Sequence, residues 1–441
     1  VLCLVAVNSN AQWQFVGFVT GAGMSPSISA YGPNGAVVFG GVGGSPRAFL
    51  STNGGVNWTA ISGNMTGPEL FCGWAVNAST MFGGDGGANG GAGGNARVWK
   101  TTNGGSSWTV ILSTGGSLGF FNGIVFSRVN PNFGMAQSDG PAGLGTPFYI
   151  ATTTNGGNNW TVGSAPGFAG GFAAVNSVVV VDALFYGFGS GNVTPSRVEV
   201  TSNGGTTWTT TNISVTGNFV SGFTMSDDKL RGLASTQTSL PNISRTTNGC
   251  ATWATVNIGA GVTGYCNVKW IHGTSVVYVA GGLGAGGVVK RSSDGGLTWT
   301  QMSTQGITDI NHMEYHKESN TIAHIYAVAG DGSVIRYRDS ALVVGINPIN
   351  NNIPAEYRLE QNYPNPFNPS TTINYSLPRA SSVTIKIYDM LGHEVMTVVE
   401  EHHPAGNYTT SVDASTLASG VYFYTLNAGD FTDSKKMILV K

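Results

Sequence analysis

The stretch STNGGVNWT, Ser51 to Thr59, returns along the chain as TTNGGSSWT (101–109), TTNGGNNWT (153–161), TSNGGTTWT (201–209), TTNGCATWA (246–254) and SSDGGLTWT (292–300). Its tryptophans, Trp58, Trp108, Trp160, Trp208, Trp253 and Trp299, fall 45 to 52 residues apart. No heptads and no long apolar-periodic helix separate the copies. Self-similarity at that period predicts an all-β repeat array closed into a ring, in which each unit buries its apolar face on the next.

Each copy reads as a hairpin turn. Asn-Gly or Asp-Gly supplies the positive φ values of a tight turn, and the second Gly lets the strand leave without a Cβ clash. A hydroxyl before the pair, such as Thr102 or Ser293, is expected to cap turn N–H groups. The indole then opens the next strand as an apolar wedge that hides roughly 150–250 Å² against the neighbouring unit. Burial on that scale is worth about 2–3 kcal/mol per site, so the turns are structural rather than chemical.

Between turns the chain gives three more short strands per unit. In the second unit these are 71–77, 79–83 and 97–102, followed by the strand at 108–112. Six turns leave one unit to find. Segments 311–316, 322–329 and 334–338 supply three strands with no turn or Trp strand after them, while Gln12-Trp13-Gln14-Phe15-Val16 matches Asn57-Trp58-Thr59-Ala60-Ile61. Pairing the N-terminal strand into the last unit closes the circle and removes exposed sheet edges. The expected fold is a seven-bladed β-propeller over residues 12–339, with six blades as the alternative.

These turns resemble the Asp-box, or BNR repeat, of sialidase-like and photosystem-assembly-factor-like β-propellers, whose pattern is Ser/Thr-x-Asp-x-Gly-x-x-Trp. Five copies carry Asn53, Asn103, Asn155, Asn203 and Asn248, and only Asp294 keeps the acid. The resemblance implies an architectural role for these residues, since an amide cannot serve as acid or base.

Composition agrees with turn-rich β structure: 66 glycines and only 10% charged residues in 441. A net charge of −2 offers no electrostatic case for nucleic acid. No run is long enough for a membrane span. No cofactor motif is present.

Residues 1–11 read as the tail of a secretory signal peptide, apolar over Val1 to Val7 with small residues Ser9 and Ala11 before a cut at Gln12. After an Asn/Pro/Ile-rich linker at 340–355 the texture changes. Residues 356–441 give short alternating strands with Gly and Pro turns, as expected for a small Ig-like β-sandwich. This segment resembles the type A sorting domain of the type IX secretion system, through NYPNPFNPSTTI, IYDMLGHEV, LASGVYFYTL with Gly420 at its head, and the basic end KKMILVK with Lys435 and Lys436. The resemblance implies the type IX secretion machinery as a partner and a secreted or outer cell-surface location reached by way of the periplasm.

Four cysteines are present. Cys3 lies in the leader. Cys72 and Cys266 occupy equivalent first-strand positions of different units. A Cys250–Cys266 bridge is disfavoured, since one residue lies in a turn and the other within a strand of the next unit.

Candidate chemistry is sparse. Arg47, Arg97 and Arg197 each lie eleven residues before the Trp of their unit. They therefore start third strands, on the face opposite the turns. Gly-rich loops at 40–44 and 83–94 precede two of them, and comparable loops recur at 139–145 and 281–287. A ring of such loops makes a shallow cup in which backbone N–H groups approach a ligand closely. The expected ligand is an extracellular glycan, surface polymer or protein. The alternatives are a sialidase-like glycoside hydrolase, which needs an arginine cluster and paired acids, and a structural component of the cell exterior. No catalytic residue is assigned. His312, Glu314 and His316 alternate along one strand and share a face, but the aligned Asn267 and Lys269 point to an ordinary polar face, and no metal is assigned.

Overall fold

The computed structural model describes residues 13–21, 23, 26–42, 44–87, 94–115, 119–168, 171–217, 219–237, 241–259, 267–282, 286–304, 306–307, 309–342, 347–348, 356–379, 381–403 and 406–440. The leader segment, most of the linker and Cys266 lie outside them. The chain divides into two compact units, Val1–Val344 and Gly345–Lys441.

The first unit is a β-propeller. Among the described residues it holds seven four-stranded antiparallel sheets. Six are simple meanders, such as Leu70–Ala75, Met81–Asp85, Arg97–Thr101 and Thr109–Ser113. The seventh takes His312–Lys317, Ala323–Val328 and Ser333–Asp339 from the end of the unit, and its outer strand, Gln14–Phe18, from the beginning. Gln14 pairs with Arg336 and Phe18 with Ser333. The innermost strands pack one on the next round the ring, and Ser27–Ala30 of the first sheet meets His312–Lys317 of the last. A backbone-to-side-chain hydrogen bond seals that seam, where the Ile28 N–H donates to His312 Nδ1 at 3.1 Å.

The repeated turn builds one hydrogen-bond motif. In the second sheet, Thr101 Oγ1 donates to Asn103 Oδ1 (2.9 Å) and accepts from Gly105 N–H (3.0 Å), while Asn103 Oδ1 accepts from Ser107 N–H (3.0 Å). Ser292 and Asp294 do the same in the sixth. The capping hydroxyl is thus Thr101 or Ser292, not the expected Thr102 or Ser293. Strand alternation turns residues 101 and 292 inward and leaves 102 and 293 in solvent. Gly104 N–H then donates to Ser79 O (3.0 Å), and the bond recurs as Gly54 to Asn34 and Gly295 to Ser275. It ties each turn to the loop between the first two strands of the same sheet.

Each indole packs on the preceding sheet. Trp108 is buried among Val37, Phe39 and Ala48 and donates to Ile61 O at 2.7 Å. Trp160 meets Phe82 edge-on at 6.1 Å. Trp13 plays the same part in the last sheet, fully buried and stacked on Tyr337 at 5.7 Å, beside Tyr278 of the sixth sheet.

The second unit is a sandwich of two four-stranded sheets. One contains Arg358–Leu359, Ser370–Leu377 and Gly406–Asp413; the other runs Glu394–His403, Ser381–Tyr388, Gly420–Ala428, Phe431–Leu439. Alternating residues Val383, Ile385, Ile387, Tyr424, Leu426, Met437 and Leu439 fill the core between them.

Candidate functional site

Arg47, Arg97 and Arg197 stand at the same end of their third strands, away from the repeated turns. Their surroundings differ. Arg97 Nε contacts Asp85 Oδ2 at 2.9 Å, its Nη2 donates to Thr66 O at 2.8 Å, and its guanidinium lies 4.8 Å from the Trp99 ring. Asp85 is fully buried and also accepts the Arg97 N–H at 2.7 Å. Arg197 covers the Phe168 ring at 5.8 Å. Arg47 is exposed. Among the described residues no contact joins the three, and Glu199 pairs with none of them.

The same face carries groups that the sequence reading missed. Two phenylalanine pairs flank the starts of innermost strands: Phe71 with Phe120 at 4.5 Å, and Phe172 with Phe219 at 5.5 Å. All four rings are partly exposed. Glycines make room for them, since a Cβ on Gly86 would meet Phe71 at 2.7 Å and one on Gly191 would meet Phe172 at 2.7 Å. Asp139 follows the second strand of the third sheet, Gly134–Ser138, here. Its Oδ1 accepts from Asn122 Nδ2 (2.8 Å) and Ala173 N–H (3.0 Å), while burial pushes its carboxyl up to about 7. The pairing of bulky Phe with Gly across neighbouring strands is a signal that was available in the sequence.

On the ring axis, toward the repeated turns, lies a cavity of about 60 Å³. Glu314 points into it and is bound by Arg128 Nη2 and Lys269 Nζ, both at 3.0 Å. Those cations hold its carboxyl at about 2, against the upward push of burial. Arg128 is sandwiched between Trp74 at 4.3 Å and Tyr315 at 4.8 Å. His312 and Glu314 do share a face, yet one faces the Ile28 amide and the other two cations. Among the described residues no group of His, Cys, Asp and Glu is gathered as metal ligands. Cys250 is buried with its Sγ 3.5 Å from Met225 Sδ; the Cys266 end of the weighed bridge lies outside the described residues.

In the second unit, Gly420 pairs with Leu439, and Lys435 and Lys436 lie opposite Tyr424 and Phe423. Lys435 Nζ is 3.4 Å from Asp433 and Lys436 is exposed. The Asn-Pro motif clamps this last strand. Gln361 Nε2 donates to Lys436 O (2.7 Å), and Asn365 Oδ1 accepts from Ile438 N–H (2.9 Å).

Residues 361–441 match the secretion system C-terminal sorting domain family. The chain therefore carries a type IX sorting domain and is an exported protein, destined for the cell surface or the medium. No curated protein matches the chain. Among solved structures, an ancestral GH74 enzyme is similar at 13% identity over 96% of this chain and 63% of its own, with a TM-score of 0.54. PorZ, a surface component of the type IX secretion system of Porphyromonas gingivalis, aligns at 13% identity over 94% of this chain and 59% of its own, with a TM-score of 0.47. Sqt1 from Chaetomium thermophilum aligns at 10% identity over 76% and 86%, with a TM-score of 0.49. The chain spans about three fifths of the length of the first two. These likenesses concern the fold alone. Among the described residues no helix is long and apolar enough to cross a membrane.

Proposed function

We propose that this protein is a non-catalytic, exported binding propeller that takes an extracellular glycan on the face opposite its repeated turns. The observation that carries the reading is the pair of partly exposed phenylalanine stacks, Phe71–Phe120 and Phe172–Phe219, flanking the strand starts on that face. Aromatic faces pack against the C–H faces of sugar rings, and Tyr-, Trp- and Phe-rich concave surfaces are the usual binding floors. Arg47 and Arg197 flank them as cations for acidic sugars. Arg97, already matched by Asp85, stiffens the rim. The six turns are read as Asp-box repeats in which Asn has replaced Asp, with residues 1–11 as leader, 12–339 as propeller, 340–355 as linker and 356–441 as sorting domain, and with passage through the periplasm.

A glycan array probed with the full chain tests the reading. Retention of a glycan class by the wild type, and its loss in Phe71→Ala/Phe172→Ala, is the expected result; equal retention by both proteins overturns it.

Asp139 favours a second reading, glycoside hydrolysis, because burial holds its carboxyl near 7, where a general acid keeps its proton. That chemistry needs a second carboxylate about 5–9.5 Å away, and Asp85 on the same face is occupied by Arg97. A fluorogenic glycoside panel decides: turnover abolished by Asp139→Asn supports the enzyme, and binding without turnover supports the binder.

A further inference from the structure

We propose that the axial cavity is a binding site for one small carboxylate, held between Arg128 and Lys269. This site lies on the ring axis toward the repeated turns, away from the glycan face, and does not depend on that reading.

Charge is the first argument. Arg128 and Lys269 bring two positive charges to the cavity and share one carboxylate, Glu314. Burial pushes the carboxyl of the other acid on the lining, Asp227, up; the Gly273 N–H it accepts at 2.7 Å and the charge of Lys317 act the other way, and Lys317 offsets the charge it carries. His272 adds no charge, since burial and the neighbouring cations hold its imidazole down to about 3. One positive charge is left over, which suits a monovalent anion rather than a phosphate.

Donor geometry is the second. Arg128 spends Nη2 on Glu314, and Lys269 spends one of its three ammonium hydrogens there. The remaining donors have no protein acceptor among the described residues. A guanidinium has five N–H donors in a planar fork that matches the two oxygens of a carboxylate better than it matches a spherical halide. The stacking of that fork between Trp74 and Tyr315 fixes it before any ligand arrives, so little rotamer entropy is lost on binding.

Size is the third. The cavity, about 60 Å³ of room for water centres, takes about four to six waters at about 10–15 Å³ each. Acetate, with four heavy atoms, matches that space, and pivalate, with seven, exceeds it.

The probes are acetate and pivalate, equal in charge and different in bulk, added to the full chain in parallel thermal melts. Acetate is expected to raise the melting temperature with concentration, as a ligand of the folded state must, and pivalate is not. Lys269→Met, which keeps the length of the side chain, should weaken acetate binding by about tenfold or more, the loss of one charge-assisted hydrogen bond. Glu314→Gln frees both cations and should tighten it by a similar factor. N-acetylaspartate amide, competed against acetate, separates the sources. Competition marks a site that also accepts an acidic side chain of a partner, and its failure restricts the site to free acids; both sustain the proposal. Equal responses to acetate and pivalate, or acetate binding unchanged in Lys269→Met, overturn it. The acetate–pivalate contrast needs no variant, and so stands even if Glu314→Gln fails to fold.

Discussion

At the residue scale, the asparagines of the repeated turns make the bonds that Asp294 makes in the sixth sheet. Asn103 Oδ1 accepts from Ser107 N–H and Thr101 Oγ1, and its Nδ2 donates to Ser107 Oγ at 2.8 Å. Asn103→Ala leaves that amide and that hydroxyl without their acceptor and should cost about 1–2 kcal/mol in urea unfolding, while Asn103→Asp should recover most of it. Glu199 is the opposite case. It is fully buried opposite Phe188, on the face packed against the third sheet, and among the described residues neither carboxylate oxygen has a hydrogen-bond partner. Burial raises its pKa from 4.5 to about 8. The folded form therefore keeps a proton that the unfolded chain releases, so this residue costs stability as pH rises from about 4.5 to about 8. The slope approaches 1.4 kcal/mol per pH unit at most. Glu199→Gln removes the effect. Its stability relative to wild type should climb with pH across that window and level off above it, as read by urea midpoints at a series of pH values. A constant difference would show that Glu199 is ionised in the fold.

At the element scale, the joint that makes the ring is the N-terminal strand laid on Ser333–Asp339. Trp13 is its anchor, and Tyr337 and Tyr278 line its pocket. Trp13→Ala removes a fully buried indole and should cost about 3–5 kcal/mol. It also loosens Gln14–Phe18 from the sheet edge, so oligomers should appear in size-exclusion chromatography as that edge finds other strands. A variant such as Trp58→Ala, in a sheet whose strands are contiguous in sequence, should lose stability without oligomers. This joint was legible in the sequence because Gln12-Trp13-Gln14 copies Asn57-Trp58-Thr59 and the last unit lacked a strand. The axial network was not. Lys269 and Glu314 are 45 residues apart, one repeat, so the sequence aligned them but gave no sign that they pair; Arg128 and Glu314 are 186 apart, and only the closed ring brings their strands to one axis. The three arginines mark the same limit from the other side. They share a place at the starts of third strands, but their fates depend on partners that do not repeat, since Asp85 serves Arg97 and, among the described residues, Arg47 has no such carboxylate.

At the scale of the whole molecule, the export signal is a folded domain and not merely a basic tail, and this decides what a truncation means. The final strand, Phe431–Leu439, pairs along its length with Gly420–Ala428, and its Met437 and Leu439 are buried in the sandwich core. Deleting residues 432–441 therefore removes both a core strand and the basic side chains, and retention of the protein inside the cell is the expected result. Lys435→Ala/Lys436→Ala separates the two. Lys436 is exposed and Lys435 lies 3.4 Å from Asp433, a surface pair worth at most about 1 kcal/mol, so the sandwich should keep its stability. Immunoblots of cell and medium fractions then discriminate. Retention of this stable double variant means that the machinery reads the charges, whereas normal export means that it reads the folded strand. The clamp from Gln361 and Asn365 onto Lys436 and Ile438 favours the second outcome, because the Asn-Pro motif spends its side chains on holding that strand's backbone in place. Asn365→Ala should accordingly lower export more than Lys436→Ala does, and the reverse order would show that the motif serves the strand less than the strand's own charges serve export.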